Sequence, residues 1–317
     1  MTLLTLTPNP SLDRILTLDA LVPGAVHRAA SRTLSPGGKG INVARAARSL
    51  GEAAWAAGIL GGRTGRTLAD LCEREGLPAR WTWIDEIETR MTSILLHPLA
   101  DNPRTMTVIN ERGDPLSAAA WTQFTADVHD ALGSARAVCM SGSSPPGVTG
   151  DHIAALLEGL IQSGVPLWVD TSGAGLHAAL KIAGVNLKVN GDEIGAAFDV
   201  AVTGVESALT AARQAHAHTG GTVVVTLGAA GAVMVSGAGA LHAVPPSVQT
   251  LNPIGSGDSA LAALALAFST PGVPPQDALC RAVAAGTANA ITERGGGYFT
   301  QAQYQAVLAD TRISVLT

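Results

Sequence analysis

The chain has few cysteines and no excess of basic residues, and both absences limit what it can do. Its three cysteines, Cys72, Cys139 and Cys280, are widely spaced and match neither a disulfide framework nor a zinc site. Charged residues make up 14% of the 317 residues, and the formal net charge is −5. This balance argues against a nucleic acid or an anionic membrane as partner. An anionic ligand would have to be held by a few local cations and backbone amides.

Long apolar runs and targeting signals are also missing. The apolar stretch at residues 260–268 is too short for a confident membrane span. The first eight residues lack the basic region of a secretion signal. The chain contains no linker, low-complexity tract or internal repeat. We therefore expect a cytoplasmic protein whose residues 1–317 form a single domain with a large core.

Short apolar segments alternate with helical patterns along most of the chain. The strand-like segments are residues 3–7, 53–60, 137–141, 167–170, 187–190 and 223–227. Helical patterns lie between them, as at residues 41–50, where we expect Arg45 and Arg48 on the solvent side. This alternation predicts an α/β fold with three α/β/α layers around a mostly parallel sheet. Ligands of such sheets bind beyond the carboxyl ends of the strands.

Two stretches, at about residues 12–35 and 85–112, interrupt this alternation. Both alternate apolar and polar residues without an intervening helix. They predict the strands of a small antiparallel sheet attached to the main domain, and a small sheet beside a ligand cleft is a candidate lid. An exposed lid strand invites pairing with a second copy of the chain. The sequence leaves both a homodimer through the lid and a monomer open.

The most informative motif is Gly255-Ser256-Gly257-Asp258, which runs directly into the apolar helical stretch. Its glycines let the backbone turn tightly, and the free amides of a helix start form an anion site. A carboxylate at such a helix start is favoured in its ionised form. The arrangement suits phosphoryl transfer, because the amides stabilise charge while Asp258 accepts a proton from the attacking hydroxyl. The alternative is a loop that ends in a helix cap.

A second glycine-rich turn, Gly37-Gly38-Lys39-Gly40, opens the helix at residues 41–50. It lacks the spacing of a P-loop. It also differs from the dinucleotide fingerprint, which disfavours an NAD-dependent oxidoreductase. Its glycines, the charge of Lys39 and the amide of Asn42 suit a polyhydroxylated anionic ligand. An ordinary helix start is the alternative.

In combination, the motifs resemble those of the ribokinase-like (PfkB) carbohydrate kinase family over nearly the whole chain. The similarity is greatest to the branch of 1-phosphofructokinases and tagatose-6-phosphate kinases. Taken singly, Asp13 indicates a solvated turn and Arg90 a surface arginine, but nine segments occur in family order. They are Thr7-Pro8-Asn9-Pro10 with Asp13; 37–44; Thr89-Arg90; Asn110-Glu111 with Gly113; 141–147; Asp170-Thr171-Ser172-Gly173; Lys188 with Asn190 and Glu193; 226–232; and 255–258.

The resemblance implies an α/β nucleotide-binding domain with a β lid over the sugar, and a division of roles among residues. Asp258 would be the catalytic base, with the amides of Gly255, Ser256 and Gly257 as its anion hole. The implied substrate-binding residues are Asp13, Gly37, Gly38, Lys39, Asn42, Arg90 and Ser141. The implied nucleotide-binding residues are Lys188, Asn190, Thr226, Gly228, Gly231 and Asn289. Asn190 and Glu193 would bind Mg²⁺, directly or through water; without the resemblance, they indicate a helix cap with solvated charges.

The implied activity is an ATP- and Mg²⁺-dependent kinase for a ketohexose phosphate, with fructose 1-phosphate as the leading substrate. Lys39 favours a phosphorylated sugar over a neutral one. Tagatose 6-phosphate and fructose 6-phosphate are the open alternatives, and a catalytically silent sugar-phosphate sensor is a further one. Activation by K⁺ is also open, because backbone carbonyls bind this ion without a side-chain signature.

Three positions depart from the family pattern. Ser144 stands where the branch has leucine, Val189 where proline is usual, and Ser256 where alanine is commoner. Val189 frees a backbone amide and loosens the φ restraint beside Asn190. None of the three changes the proposed base.

Overall fold

The computed structural model describes residues 2–99, 102–133 and 135–317. The strands are β1 Thr2–Thr7, β2 Ser11–Thr17, β3 Ser31–Gly37, β4 Ala54–Leu60, β5 Ala79–Trp83, β6 Met91–Leu99, β7 Asn102–Asn110, β8 Ala135–Ser141, β9 Leu167–Asp170, β10 Asn186–Asn190, β11 Val223–Thr226, β12 Ala232–Ser236, β13 Gly239–Val244 and β14 Arg312–Leu316. The helices are α1 Lys39–Ser49, α2 Gly62–Arg74, α3 Ala118–Leu132, α4 Gly150–Gln162, α5 Gly173–Ala179, α6 Gly191–Phe198, α7 Val205–Thr219, α8 Ser256–Phe268, α9 Pro275–Ala290 and α10 Gln301–Asp310. No helix in these ranges is both long and apolar enough to cross a membrane.

The large sheet has ten strands in the order β14-β13-β12-β11-β10-β9-β8-β1-β4-β5. The pairs from β11 to β5 are parallel, while β12, β13 and β14 pair antiparallel at one edge. One buried apolar cluster lies on each face of this sheet, as expected for strands covered by helices on both sides. The predicted three-layer α/β/α architecture is confirmed.

The small sheet has four strands in the order β3-β2-β6-β7. Its two outer pairs are antiparallel, but β2 and β6 are parallel. The expectation of an antiparallel lid therefore holds for the two hairpins and is wrong for their junction. The reason is the connection: α1, β4, α2 and β5 lie between the hairpins, so the second hairpin enters the sheet in the same direction as β2. Residues 100 and 101 of the predicted lid segment lie outside the described residues.

Helices α1 and α8 pack together on one face of the large sheet and begin at its carboxyl edge. Gly40 lets α1 lie close to β1, because a Cβ there would be 2.4 Å from Thr7 Oγ1. Helix α8 is buried along most of its length, in keeping with its alanine-rich sequence. One expectation about α1 is wrong: Arg48 is exposed, but Arg45 is only 5% exposed.

Candidate active site

A cleft of about 850 Å³ lies between the small sheet and the carboxyl edge of the large sheet. The small sheet contributes Asp13, Thr92, Ile94, Val108 and Asn110. The facing wall includes Thr7, Gly38, Lys39, Asn42, Thr171, Glu193, Gly255 and Asp258. Thus one cavity brings together the two glycine motifs, which are more than 200 residues apart in the sequence. The small sheet covers this cavity, so we call it the lid.

Asp258 lies in the first turn of α8, immediately after the tight turn at Gly255, whose φ is 82°. Its side chain is buried, and its Oδ2 accepts a 2.8 Å hydrogen bond from Asn42 Nδ2. Burial, together with the nearby carboxylate of Asp170, raises the pKa of Asp258 to about 6, against the opposing effect of Lys39 and Lys188. The expectation that the helix start favours the ionised form of Asp258 is therefore wrong in direction, because burial outweighs the helix start. At neutral pH Asp258 is still ionised, and its pKa is close to the value at which a general base is effective.

Two lysines converge on Asp170 at the end of β9. Lys39 Nζ lies 3.0 Å from Asp170 Oδ1, and Lys188 Nζ pairs with Oδ2. Asp170 is fully buried; burial alone would raise its pKa, but Lys188 and Lys39 hold the pKa below its usual value. Burial opposes the charge of Lys39, but Asp170, Glu193 and Asp258 raise the pKa of Lys39 above its ordinary value. Lys39 therefore carries a positive charge at the carboxyl edge, and Lys188 pairs with the other oxygen of Asp170.

Asp170 was not among the predicted site residues, although its segment belongs to the motif series. A signal was available, because a lone acidic residue that ends a buried strand of a parallel sheet lies at the ligand edge. Lys188 follows on the adjacent strand and points toward the start of α8: a Cβ on Gly257 would lie 2.7 Å from its Nζ. An ammonium group therefore lies beside the amides that the sequence predicts as the anion hole.

Asn190 and Glu193 form a reciprocal cap at the start of α6. Asn190 Oδ1 accepts from the amide of Glu193 at 2.8 Å, and Glu193 Oε2 accepts from the amide of Asn190 at 2.9 Å. Glu193 Oε1 also lies 3.2 Å from Lys39 Nζ. Val189, despite departing from the family pattern, continues β10 and leaves this cap intact.

The donor set suits a magnesium ion that is held mostly by phosphate oxygens and water. Within the described ranges, no group of three or more histidines, cysteines or acidic residues could hold a metal by itself. Mg²⁺ commonly takes only one or two carboxylates from the protein, and Glu193 lines the cleft. Asn190 Oδ1 is already engaged in the helix cap. The metal-binding roles of Asn190 and Glu193 stay predictions.

The lid presents Asp13 to the cleft. Ser11 Oγ donates to Asp13 Oδ1 at 2.6 Å, and burial raises the pKa of Asp13 while this bond, Arg45 and Arg90 oppose the rise. Gly37 leaves room for the carboxylate, since a Cβ there would lie 2.1 Å from Asp13 Oδ1. Gly37 itself does not line the cleft, whereas Gly38 does.

Two arginines lie where the lid meets the main domain. The guanidinium of Arg90 donates hydrogen bonds to two backbone carbonyls. Its Nε donates to Asn9 O and its Nη1 to Glu111 O, both at 3.2 Å. Arg112 also lines the cleft, is exposed, and has no described side-chain partner. Arg112 was not among the predicted site residues, although it lies between Glu111 and Gly113 in one of the nine motif segments.

The remaining predicted residues do not line the cleft. Ser141 ends β8, and its buried Oγ has no hydrogen-bond partner among the described residues. Thr226 ends β11 and donates to Val189 O, and Gly228 and Gly231 flank the short turn that follows. Asn289 is fully buried and donates to Ile254 O at 2.8 Å and to Ser256 Oγ at 3.1 Å. It therefore supports the turn that precedes α8.

Comparison with known proteins decides the family. The model of the pfkB family carbohydrate kinases matches residues 7–302. The chain belongs to this family. It is 30% identical over 271 residues to the 1-phosphofructokinase of Rhodobacter capsulatus, covering 82% of this chain and 81% of that one.

Two further matches point to the same family. The chain is 31% identical over 264 residues to the ATP-dependent 6-phosphofructokinase isozyme 2 of Escherichia coli, covering 83% and 84% of the two chains. The structure of phosphofructokinase-2 from Escherichia coli in complex with substrates and products superposes with a TM-score of 0.88 at 28% identity, covering 98% and 99%. The chain described here is therefore a carbohydrate kinase of the pfkB family.

Proposed function

We propose that this kinase transfers the γ-phosphoryl group of ATP to fructose 1-phosphate at its 6-hydroxyl. The observation that carries the proposal is Asp258, a buried carboxylate with a pKa of about 6, at a helix start inside a lid-covered cleft. Phosphoryl transfer needs little covalent chemistry from the protein and depends on positioning and on stabilising charge. The cleft offers both.

Each part of the wall has a role in this proposal. Asp258 accepts the proton of the attacking hydroxyl, and the amides of Gly255, Ser256 and Gly257 stabilise the charge of the transferred group. Lys188, beside these amides, adds a positive charge. Mg²⁺, when bound, would neutralise the phosphates of ATP, with Glu193 as the nearby carboxylate. The lid excludes water, which strengthens these interactions.

The cations along the cleft favour a substrate that already carries a phosphate. Lys39, Arg90 and Arg112 line the cleft. Lys39 and Arg90 are already held by protein groups, whereas the side chain of Arg112 has no described partner. We therefore propose that Arg112 joins Arg90 in holding the non-reacting phosphate. The carboxylate of Asp13, on the lid, is suited to accept hydrogen bonds from sugar hydroxyls.

The first test is ADP release with ATP and Mg²⁺ against a panel of sugars. The panel contains fructose 1-phosphate, fructose 6-phosphate, tagatose 6-phosphate and unphosphorylated fructose, each with and without K⁺. We expect the highest kcat/KM with fructose 1-phosphate. Preference for another sugar phosphate would keep the mechanism and replace the substrate, while preference for fructose would contradict the proposed use of the cations.

Replacing the base separates an enzyme from a silent sensor. Asp258→Asn keeps the size of the side chain but removes the proton acceptor, so we expect turnover to fall at least about a thousandfold while nucleotide binding persists. Asp192→Asn is the matched control, because Asp192 lies in the first turn of another helix, α6, and does not line the cleft. Absence of turnover by the unaltered protein with every sugar would favour the sensor.

A further inference from the structure

Arg45 is a buried charge that the proposed reaction leaves unused. It lies on α1, is 5% exposed and does not line the cleft. Its donors point in three directions: Nε to Glu75 Oε2 at 2.8 Å, Nη1 to Asn42 Oδ1 at 3.0 Å and Nη2 to Pro36 O. A buried arginine requires partners of this kind. An apolar side chain could fill the same space and would need no such partners. The three partners therefore indicate a specific role.

The direction of the bond to Asn42 follows from the chemistry of the two groups. A guanidinium has only donors, so the atom of Asn42 that faces Arg45 must be the amide oxygen. The amide nitrogen then faces the other way and donates to Asp258 Oδ2 at 2.8 Å. The reversed amide would set its oxygen against the carboxylate and its NH₂ against the guanidinium, and both contacts are repulsive.

We propose that Arg45 is a positioning residue that locks the Asn42 amide in the orientation that donates to Asp258. The inference rests on the proposed role of Asp258 as base. With Oδ2 held by Asn42, the other oxygen of the carboxylate is left to accept the substrate proton. Arg45 acts through Asn42 and does not itself touch the cleft.

The charged groups around Arg45 and around Asp258 show how Arg45 affects Asp258 through Asn42. Asp258 faces Asp170, Lys39 and Lys188, and Asn42 is its hydrogen-bond donor. Arg45 faces Glu75, which also lies 3.6 Å from Arg294, and the guanidinium of Arg45 lies 5.1 Å from the centre of the Tyr298 ring. Its charge also opposes the rise that burial causes in the pKa of Asp13 and of Cys72. Glu75 balances the charge of Arg45. Arg45 therefore acts on Asp258 mainly through the orientation of the Asn42 amide and less through its own charge.

The test compares three variants at the level of kcat and its pH profile. Arg45→Met removes every donor and keeps the length of the side chain, while Arg45→Lys keeps one charged donor and loses the fork to Glu75 and Pro36. Arg48→Met is the control, since Arg48 is exposed on the same helix and contacts only the backbone of Glu75.

We expect Arg45→Met to lower kcat about tenfold to about a hundredfold, with the KM for ATP within about twofold. The acid limb of kcat moves to higher pH, because Asp258 loses the donor that favours its ionised form. Arg45→Lys should retain most of kcat even though its melting temperature falls about as far as that of Arg45→Met. A purely structural role predicts instead that kcat follows stability in both variants.

Two results would overturn the proposal. One is an Arg45→Met protein that is folded, binds nucleotide and keeps both kcat and its acid limb; the other is an Arg45→Lys protein, folded, as impaired in kcat as Arg45→Met. Should Arg45→Met fail to fold, the kcat and acid limb of Arg45→Lys decide by themselves. Should the unaltered kinase not turn over, the proposed function fails separately. Hydrogen exchange of the Asn42 side-chain amide, followed by NMR, then decides: it must be slow in the unaltered protein and fast without the Arg45 donor.

Discussion

At the scale of single residues, the burial of Asp258 has a cost in stability that depends on pH. Its pKa is raised from 3.8 to about 6, so the folded state binds a proton more tightly than the unfolded state. Stability therefore falls as the pH rises through this interval. We expect Asp258→Asn, which stays neutral, to melt at a higher temperature than the unaltered protein at pH 7.5. The difference should vanish below about pH 4, where both side chains are uncharged.

Differential scanning calorimetry of both proteins between about pH 3 and pH 8 measures this difference. Asp192→Asn serves as control, because Asp192 lies outside the cleft. A melting temperature of Asp258→Asn at or below that of the unaltered protein at pH 7.5 would mean that the ionised carboxylate is better compensated than its burial indicates. In that case, burying Asp258 as an ionised base would not lower the stability of the protein.

At the scale of elements, the turn into α8 depends on glycine for two reasons. Gly255 has a φ of 82°, and a Cβ there would lie 2.7 Å from Gly296 Cα. Gly272 has nearly the same φ, 83°, with no atom near its Cβ position. Gly272→Ala therefore measures the backbone strain alone, about 1 kcal/mol, whereas Gly255→Ala adds overpacking and should cost about 2–4 kcal/mol. Urea unfolding compares the free energies of unfolding of the two variants. Equal losses would show that the segment at Gly296 moves away from the added Cβ without further cost.

The elements also show what the sequence could predict. The starts of α1 and α8 were predictable because glycine turns and helix starts are local features. The buried position of Arg45 was not, because its partners Glu75 and Pro36 meet it only in the folded chain. The same holds for Asp170, because the two lysines that contact it, Lys39 and Lys188, lie on α1 and on β10. The periodicity of a sequence does not show which distant segments will pair their charges. It therefore predicts that an arginine on a helix faces solvent.

At the scale of the whole molecule, the lid has an edge that favours association. Strand β7 ends the order of the lid sheet, so one side of its backbone pairs with no strand in the part of the chain that the structure describes. Val108 lines the cleft, and Ile109, next along the strand, lies on the opposite face with 57% of its surface exposed. An edge strand with exposed apolar side chains at Val108 and Ile109 is a natural contact for a second copy of the chain, and we propose that the kinase is a homodimer through its lid.

Light scattering after size exclusion tests this association with two matched substitutions. Ile109→Lys sets a charge on the lid edge and should convert the dimer to a monomer, because burying an unpaired ammonium in the interface is unfavourable. Val315→Lys makes the same change on β14, the edge strand of the large sheet, where Val315 is 73% exposed, and should leave the dimer intact. An unaltered protein that is monomeric at tens of micromolar would contradict the proposal, as would loss of the dimer in Val315→Lys alone. If the dimer forms, dilution should lower the specific activity with the sugar phosphate, since association at the lid restrains the sheet that covers the cleft.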